Sequence, residues 1–188
     1  MNEILQASID IETTGLNEGY HEMIELAITQ FDDNLDPTGI KFVSYVKPSE
    51  RGVKLAEPKA VECNGLDLEL LHRTAPTPSQ VRYALIQWKE ELFGSAKIMP
   101  LGHNFASFDK VFLKLFMTPD IYNEMFDYHI RDTFVLAQSL IDAGKIKCST
   151  SMHGLCDFFN IEYKNAHSAY GDTLLTLQVY KCLINLLK

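Results

Sequence analysis

The spacing of apolar residues changes along this chain of 188 residues, and the change limits the folds that it can adopt. Residues 5–11, 23–31 and 41–46 are short runs typical of β-strands, and turn-forming residues separate them. Because the connections are short, we expect these three strands to form an antiparallel meander.

Helical patterns follow, interrupted by one more strand-like run at residues 97–101. Thr77 and Pro78 are a helix cap and a first-turn proline, and they predict a helix that ends before Gly94. The other predicted helices cover residues 64–73, 107–117, 132–141, 151–159 and 171–187. Strands first, then strands alternating with helices, predict an α/β fold with a mixed sheet flanked by helices.

Composition is that of one ordinary globular domain, predicted to span residues 1–188. Hydrophobic residues make up 46% of the chain, but no apolar stretch reaches the ~18–20 residues of a membrane span. The first ten residues carry no basic side chain, so no secretory signal is expected. The four cysteines show no C-x-x-C spacing, which predicts buried free thiols in a reducing compartment and a cytoplasmic location.

The net charge is −8, from 17 basic and 25 acidic residues, and it argues against a protein held on nucleic acid by broad electrostatics. It is compatible with an enzyme that binds only a strand end. One stretch is basic and is predicted to be either a solvated loop or a phosphate-contacting flank; it contains Lys41, Lys47, Arg51, Lys54 and Lys59.

Two carboxylates lie two residues apart at the end of the first strand-like run. Asp10 and Glu12 therefore share one face of the strand. Neighbouring carboxylates repel each other and lose solvation, and a cation such as Mg²⁺ relieves both costs. Without such a cation, the pair would be a solvent-exposed strand end.

Two later segments contain further candidate residues. Asp109 follows Phe108 near the start of a predicted helix, where the helix dipole favours an acid in any case. His167 and Asp172 are five positions apart, or about 140° around a helix, so one continuous helix cannot aim both at one point. We therefore expect His167 on a loop and Asp172 in the first turns of the last helix.

Taken together, residues 10–15, 102–109 and 167–172 resemble the three motifs of the DnaQ-like (DEDD) exonuclease superfamily. The first reads D-x-E-T-T-G, the second has an H-N pair before F-D with one residue more than the usual spacing, and the third reads H-x4-D. The histidine is typical of the DEDDh branch. The resemblance extends from about residue 5 to residue 183 and implies an RNase H-like fold, with a mixed five-stranded sheet flanked by α-helices.

The resemblance also implies a chemistry: hydrolysis of phosphodiester bonds at 3′ ends with two divalent cations, Mg²⁺ or in its place Mn²⁺. Asp10 would contact both cations, Glu12 and Asp172 would complete one site, and Asp109 would hold the second. His167 would be the general base that accepts the proton of the attacking water, because imidazole titrates near neutrality.

Substrate contacts are predicted around the first two motifs. Thr13 and Thr14 are expected to bond to sugar or phosphate, and Leu16 to pack against the terminal base. Asn104 is expected to touch the substrate, and Phe105 or Phe108 to offer a stacking face, although core packing is the stronger expectation for Phe108. Tyr170 is expected to line the cleft.

Several substrates and one different class of protein are compatible with these motifs. The T-T-G of the first motif favours single-stranded or frayed DNA ends, with a polymerase as a possible partner. The alternatives are an RNA-trimming or oligoribonuclease-like enzyme, and a catalytically silent nucleic-acid-binding or polymerase accessory module. A small-molecule enzyme of the α/β class would need a glycine-rich phosphate loop, and neither G-x-G-x-x-G nor G-x-x-x-x-G-K-[ST] is present.

Overall fold

The computed structural model describes residues 4–163 and 168–188 and contains a five-stranded mixed sheet in the order β3-β2-β1-β4-β5. β1 is antiparallel to β2, and β2 to β3, whereas β1–β4 and β4–β5 are parallel. The predicted fold class is therefore confirmed. The strands are β1 (Ile4–Thr13), β2 (Met23–Phe31), β3 (Pro37–Tyr45), β4 (Lys97–Gly102) and β5 (Arg131–Asp132).

Helices cover both faces of this sheet. In chain order they are α1 (Glu50–Leu55), α2 (Pro58–Asn64), α3 (Leu68–Thr74), α4 (Pro78–Phe93), α5 (Asp109–Met117), α6 (Pro119–Met125), α7 (Thr133–Asp142), α8 (Met152–Phe159) and α9 (Ala169–Asn185). The prediction for α4 is confirmed, because Thr77 and Gln80 form a reciprocal capping box at its start.

The prediction of one helix at residues 64–73 is wrong. Gly65 adopts a left-handed φ of 64° and ends α2, and the carboxylate of Asp67 then caps α3. Pro119 was expected to follow the end of a helix, which it does, but it also begins α6 as the first helical residue.

Most of the basic stretch is not a loop, and Lys47 alone of its five basic residues lies in the connection between β3 and α1. Lys41 lies in β3, Arg51 and Lys54 lie in α1, and Lys59 lies in α2. The lysines and the arginine therefore have fixed positions around the first three strands, and two of them, Lys41 and Lys59, border surfaces described below.

The core forms where β1 and β2 are covered on both sides. On one face, Ile9, Ile28 and Phe112 belong to the largest cluster of buried residues, and Phe42 of β3 contacts Trp88 of α4. α9 packs on the opposite face. β2 is buried along nearly its whole length, as expected for a strand covered on both faces.

Among the helices in the described ranges, none has both the length and the hydrophobicity that a membrane crossing requires. The cysteines form no disulfide, and all four lie within the described residues. The prediction that they are buried is correct only for Cys156, since Cys63 is exposed and Cys148 and Cys182 are partly exposed. Cys63 is exposed because it lines the open cleft described below.

Candidate active site

β1 carries Asp10 and Glu12 toward α9. Alternate residues of a strand share a face, and Ser8, the next residue on that face, donates its hydroxyl to the backbone carbonyl of Thr173 at 2.9 Å. The two carboxylates therefore point to the side of the sheet on which α9 begins.

α9 brings Asp172 to the same place. Ser168 caps the helix by accepting a hydrogen bond from the Gly171 N–H, and Asp172 follows in the first turn, as the sequence predicted. The Thr173 hydroxyl lies 2.7 Å from that of Thr29 in β2, which fixes the helix against the sheet.

Three carboxylates meet at this position. One oxygen each from Asp10, Glu12 and Asp172 lies within 4.8 Å of the others, and all three side chains are half-buried. Oxygen donors so close together match the ligand preference of hard divalent cations. The donor set therefore fits the cation that the sequence motifs imply.

Asp109 is the fourth acid of the group. It is the first residue of α5 and is buried, and its negative charge raises the pKa of Asp10. Burial raises the pKa of Asp109, and a backbone hydrogen bond at Ile11 of β1 lowers it again in part. The four predicted acids thus come from β1, α5 and α9, and the fold gathers them around Asp10.

Burial and mutual repulsion disfavour the ionised form of these carboxyls and so raise their pKa values. Loss of solvent is the main cause that raises the pKa of Asp10, and the charges of Asp109, Asp172 and Glu12 add to it. Burial likewise raises the pKa of Glu12 to about 8 and that of Asp109 to about 8. A divalent cation would oppose all of these shifts, because it favours the charged form of each ligand.

A fifth acid, Glu25, was not singled out in the sequence. It lies directly opposite Glu12 in the β1–β2 pairing, is buried, and accepts a hydrogen bond from the Ala169 N–H at 3.1 Å. Burial and the charge of Asp172 raise its pKa, whereas the Ala169 hydrogen bond lowers it. An acid among the apolar residues at the start of the run 23–31 is the signal that could have revealed it.

The threonines of the first motif bond to the protein itself. Thr13 donates its hydroxyl to the Gly15 carbonyl at 2.8 Å, and the buried hydroxyl of Thr14 accepts the Glu22 N–H at 2.9 Å. The predicted contact of the Thr14 side chain with the substrate is therefore wrong. These hydroxyls shape the turn after β1, and the Asn64 side chain supports the same turn by donating to the Thr13 carbonyl.

A cleft of about 280 Å³ opens beside Glu12 at the end of β1. Leu16, which is 72% exposed, and Phe108 form apolar parts of its wall, together with Lys59, Cys63 and Asn64. The cleft therefore has the mixed apolar and polar lining that a nucleotide needs.

Phe105 does not line this cleft. Its ring is completely buried and packs against Gly102, where a side chain would collide with it, so the predicted stacking role of Phe105 is wrong. Phe108, for which core packing was the stronger expectation, is only partly buried and contacts both the cleft and Phe112.

Asn104 lies on the exposed turn between β4 and α5. It adopts a left-handed φ of 61°, and its N–H donates to the Asp132 carboxylate at 2.9 Å. His103, just before it, contacts the Thr133 hydroxyl at 2.7 Å. The turn that contains the extra residue of the second motif is therefore tied to the start of α7.

His167 falls outside the described residues. Tyr170, three positions later, is half-buried, and the Lys41 ammonium lies 3.9 Å from its ring centre. Tyr170 thus lies at the start of α9 beside β3.

The sheet order and the acidic cluster define a class of protein: nucleases of the RNase H-like fold that use carboxylate-bound metal ions. The model of the RNase_T family, described as Exonuclease, matches residues 8–180, and the chain therefore belongs to this family. The predicted superfamily and enzyme class, a metal-dependent 3′–5′ exonuclease, are confirmed.

Curated relatives are similar over nearly the whole chain. Ribonuclease T of Actinobacillus pleuropneumoniae serotype 5b (strain L20) is 28% identical over 195 residues, which cover 98% of this chain and 85% of the relative. Ribonuclease T of Blochmanniella pennsylvanica (strain BPEN) is 25% identical, with coverage of 94% and 82%.

Solved structures of E. coli exonuclease I have the same fold. The complex with a dT13 oligonucleotide superimposes with a TM-score of 0.77 at 20% identity, over 96% of this chain. The complex with a dA16 oligonucleotide gives 0.78 at 19% identity. This chain spans about two fifths of the exonuclease I chain, with coverage of 41% in both cases.

Proposed function

We propose that this chain, acting as one exonuclease domain, removes nucleotides from the 3′ end of single-stranded nucleic acid by hydrolysing the terminal phosphodiester bond. The observation that carries the proposal is the group of Asp10, Glu12 and Asp172 oxygens within 4.8 Å of one another beside an open cleft. All four acids of the motifs are present, which disfavours a catalytically silent module.

The acids would hold two divalent cations, with Mg²⁺ expected and Mn²⁺ able to replace it. Asp10, Glu12 and Asp172 would bind one ion, and Asp109 together with Asp10 would bind the other. The cations, when bound, supply stabilisation of the negative charge that develops on the phosphate and on the leaving oxygen.

Other residues would orient the substrate and accept a proton from the attacking water. Leu16 and Phe108 would hold the terminal base and sugar in the cleft and exclude water from around them. His167 would accept the proton of the attacking water on an imidazole nitrogen. Its place in the sequence, two positions before Ala169, supports this role, because the Ala169 N–H is bound by Glu25 at the site.

The sequence of the first motif favours DNA as the substrate, and the solved structures with a similar fold hold DNA oligonucleotides. RNA is a second candidate, because the curated relatives that match 94–98% of this chain are named ribonuclease T. Recognition of RNA would require the cleft to accept or bind the 2′-hydroxyl of the terminal ribose.

A reducing, cytoplasmic compartment is proposed for the protein, supported by four cysteines that form no disulfide. A polymerase partner remains a prediction from the first motif.

The test is a cleavage assay on matched 5′-labelled single-stranded DNA and RNA oligonucleotides with Mg²⁺, with Mn²⁺ and with a chelator. We expect a ladder that shortens from the 3′ end and disappears with the chelator. Asp10→Asn should reduce the rate at least ~10³-fold, because it removes the acid at the centre of the cluster. The matched control is Asp120→Asn, an exposed acid in α6, which should cleave normally.

The faster substrate decides between DNA and RNA. Folded protein that cleaves neither oligonucleotide with metal present, or Asp10→Asn protein with full activity, would contradict the proposal.

A further inference from the structure

The sheet register places an exposed tyrosine close to the acidic cluster. Glu12 is paired with Glu25, and Glu25 is paired with Tyr45 of β3. Directly paired residues of neighbouring strands have their side chains on the same face. Tyr45 therefore lies on the face of the carboxylates, two strands or about 10 Å from Glu12.

The surface around Tyr45 combines aromatic, apolar and cationic groups. Tyr45 is 46% exposed, and Val43, on the same face of β3, is 43% exposed. Two positions further along this face, Lys41 is exposed and its ammonium lies over the ring of Tyr170. We call the surface formed by Lys41, Val43, Tyr45 and Tyr170 the β3 platform.

Lys41 gives this side of the acidic cluster an exposed positive charge. It forms no salt bridge within the part of the chain that the structure describes, so its charge is available to a phosphate. The phosphates of a single strand would therefore be attracted to the β3 side of the cluster.

The acidic cluster lies between the platform and the cleft. Glu12 borders the cleft, and Glu25 separates Glu12 from Tyr45. The cleft and the platform have no residue in common. A strand whose terminal nucleotide lies in the cleft and whose preceding nucleotides cross β3 would thus pass its terminal phosphodiester over the carboxylates.

We propose that the β3 platform binds the nucleotides on the 5′ side of the scissile phosphate, with Tyr45 stacking on a base and Lys41 contacting a phosphate. Aromatic faces beside a cation are the usual means of binding single strands without sequence preference. This inference rests on the proposed exonuclease function and adds the path of the strand to it.

The experiment compares a substrate that reaches the platform with one that does not. The first is a single-stranded oligonucleotide of ten nucleotides. The second is the p-nitrophenyl ester of thymidine 5′-monophosphate, which has no nucleotide on the 5′ side of the scissile phosphate. For Tyr45→Ala we expect KM for the oligonucleotide to rise roughly tenfold, the loss of about one base stack, and the ratio of the two KM values to rise with it.

The matched control is Tyr83→Ala. Tyr83 is 67% exposed on α4, and α4 packs on the other face of the sheet through Trp88 and Phe42, so the control should leave the KM ratio unchanged. Lys41→Gln provides an independent readout: the slope of log KM for the oligonucleotide against log salt should fall by about 0.7, the value for one phosphate contact on a single strand.

Three results would overturn the inference. Wild-type protein that cleaves the oligonucleotide, with Tyr45→Ala and Lys41→Gln variants identical to it, would refute the platform alone. The platform would also be refuted if Tyr45→Ala changed the sedimentation coefficient of the protein but not KM for the oligonucleotide. That result would assign β3 to contacts between copies of the chain. Wild-type protein that cleaves neither substrate would refute the proposed function and the platform together.

Discussion

Glu25 shows how one residue connects the sheet to the helix that carries an active-site acid. Its carboxylate accepts the Ala169 N–H at the start of α9, three residues before Asp172. The same carboxylate lies opposite Glu12, so it also contributes to the repulsion in the cluster. The hydrogen bond of Glu25 therefore stabilises the start of α9, whereas its negative charge adds to the repulsion within the acidic cluster.

Substitutions at Glu25 separate these two effects. Glu25→Gln keeps an acceptor for the Ala169 N–H and removes the charge, whereas Glu25→Ala removes both. We expect Glu25→Ala to lower the free energy of unfolding by about 1.5–3 kcal/mol, as for a lost hydrogen bond to a charged group, and to lower kcat. Glu25→Gln should retain most of the free energy of unfolding and most of kcat. Chemical denaturation and steady-state kinetics provide the measurements, and equal losses in the two variants would show that the hydrogen bond is not what matters.

At the scale of elements, α9 is held on the sheet by small polar side chains directly beneath the acidic cluster. Ser8 of β1 donates to the Thr173 carbonyl, and the Thr29 and Thr173 hydroxyls bond to each other while Thr173 also donates to the Tyr170 carbonyl. The side chains of Ser8, Thr29 and Thr173 are all buried. Because these side chains are small, the helix can approach the sheet closely enough for Asp172 to reach Asp10 and Glu12.

A double-mutant cycle tests the contact between β2 and α9. Thr173→Val leaves the buried Thr29 hydroxyl without its partner, at a cost of about 1–3 kcal/mol. Thr29→Val should cost less, because the Thr173 hydroxyl keeps its bond to the Tyr170 carbonyl. The double variant replaces both hydroxyls with methyl groups, so its destabilisation should be smaller than the sum of the two single losses. Urea unfolding of the four proteins measures this difference, and strictly additive losses would show that the two hydroxyls do not interact.

At the scale of the whole molecule, the acidic cluster makes stability depend on pH and on cations. The pKa of Glu12, ordinarily 4.5, and that of Asp109, ordinarily 3.8, are both raised to about 8 in the folded protein. The folded state therefore holds protons that the unfolded chain has already released. The contribution of these two groups to stability is fully present below their ordinary pKa values and is lost as pH rises through the interval up to about 8.

We expect the melting temperature of the metal-free protein to fall between pH 6 and pH 8.5, and Mg²⁺ to reverse the fall at pH 8.5 by binding the ionised acids. Asp32 and Asp127 do not contribute in this range, because hydrogen bonds lower their pKa below the ordinary 3.8. Thermal melting with and without a chelator measures the effect, and Glu12→Gln should flatten the pH dependence. A melting temperature that rises with pH in the chelator would contradict this account.

The sequence alone determined the parts of this protein that depend on local pattern. Alternation placed Asp10 and Glu12 on one face of β1, Thr77 and Pro78 marked the start of α4, and Asp172 was expected in the first turns of the last helix, where it lies. The family motifs predicted the mixed sheet and the four acids. The strand face and the helix starts could be predicted because each depends on residues that are close together in the chain, whereas the sheet and the set of acids followed from the family resemblance.

Only the tertiary structure decided which side chains face the site. Phe105 and Phe108 are three residues apart in one turn, yet the first is in the core and the second lines the cleft. Glu25 and Tyr45 approach the acids through strand register, a relation between residues that are distant in sequence. Local pattern does not encode such relations, because they depend on how the sheet pairs its strands and where the helices pack on it.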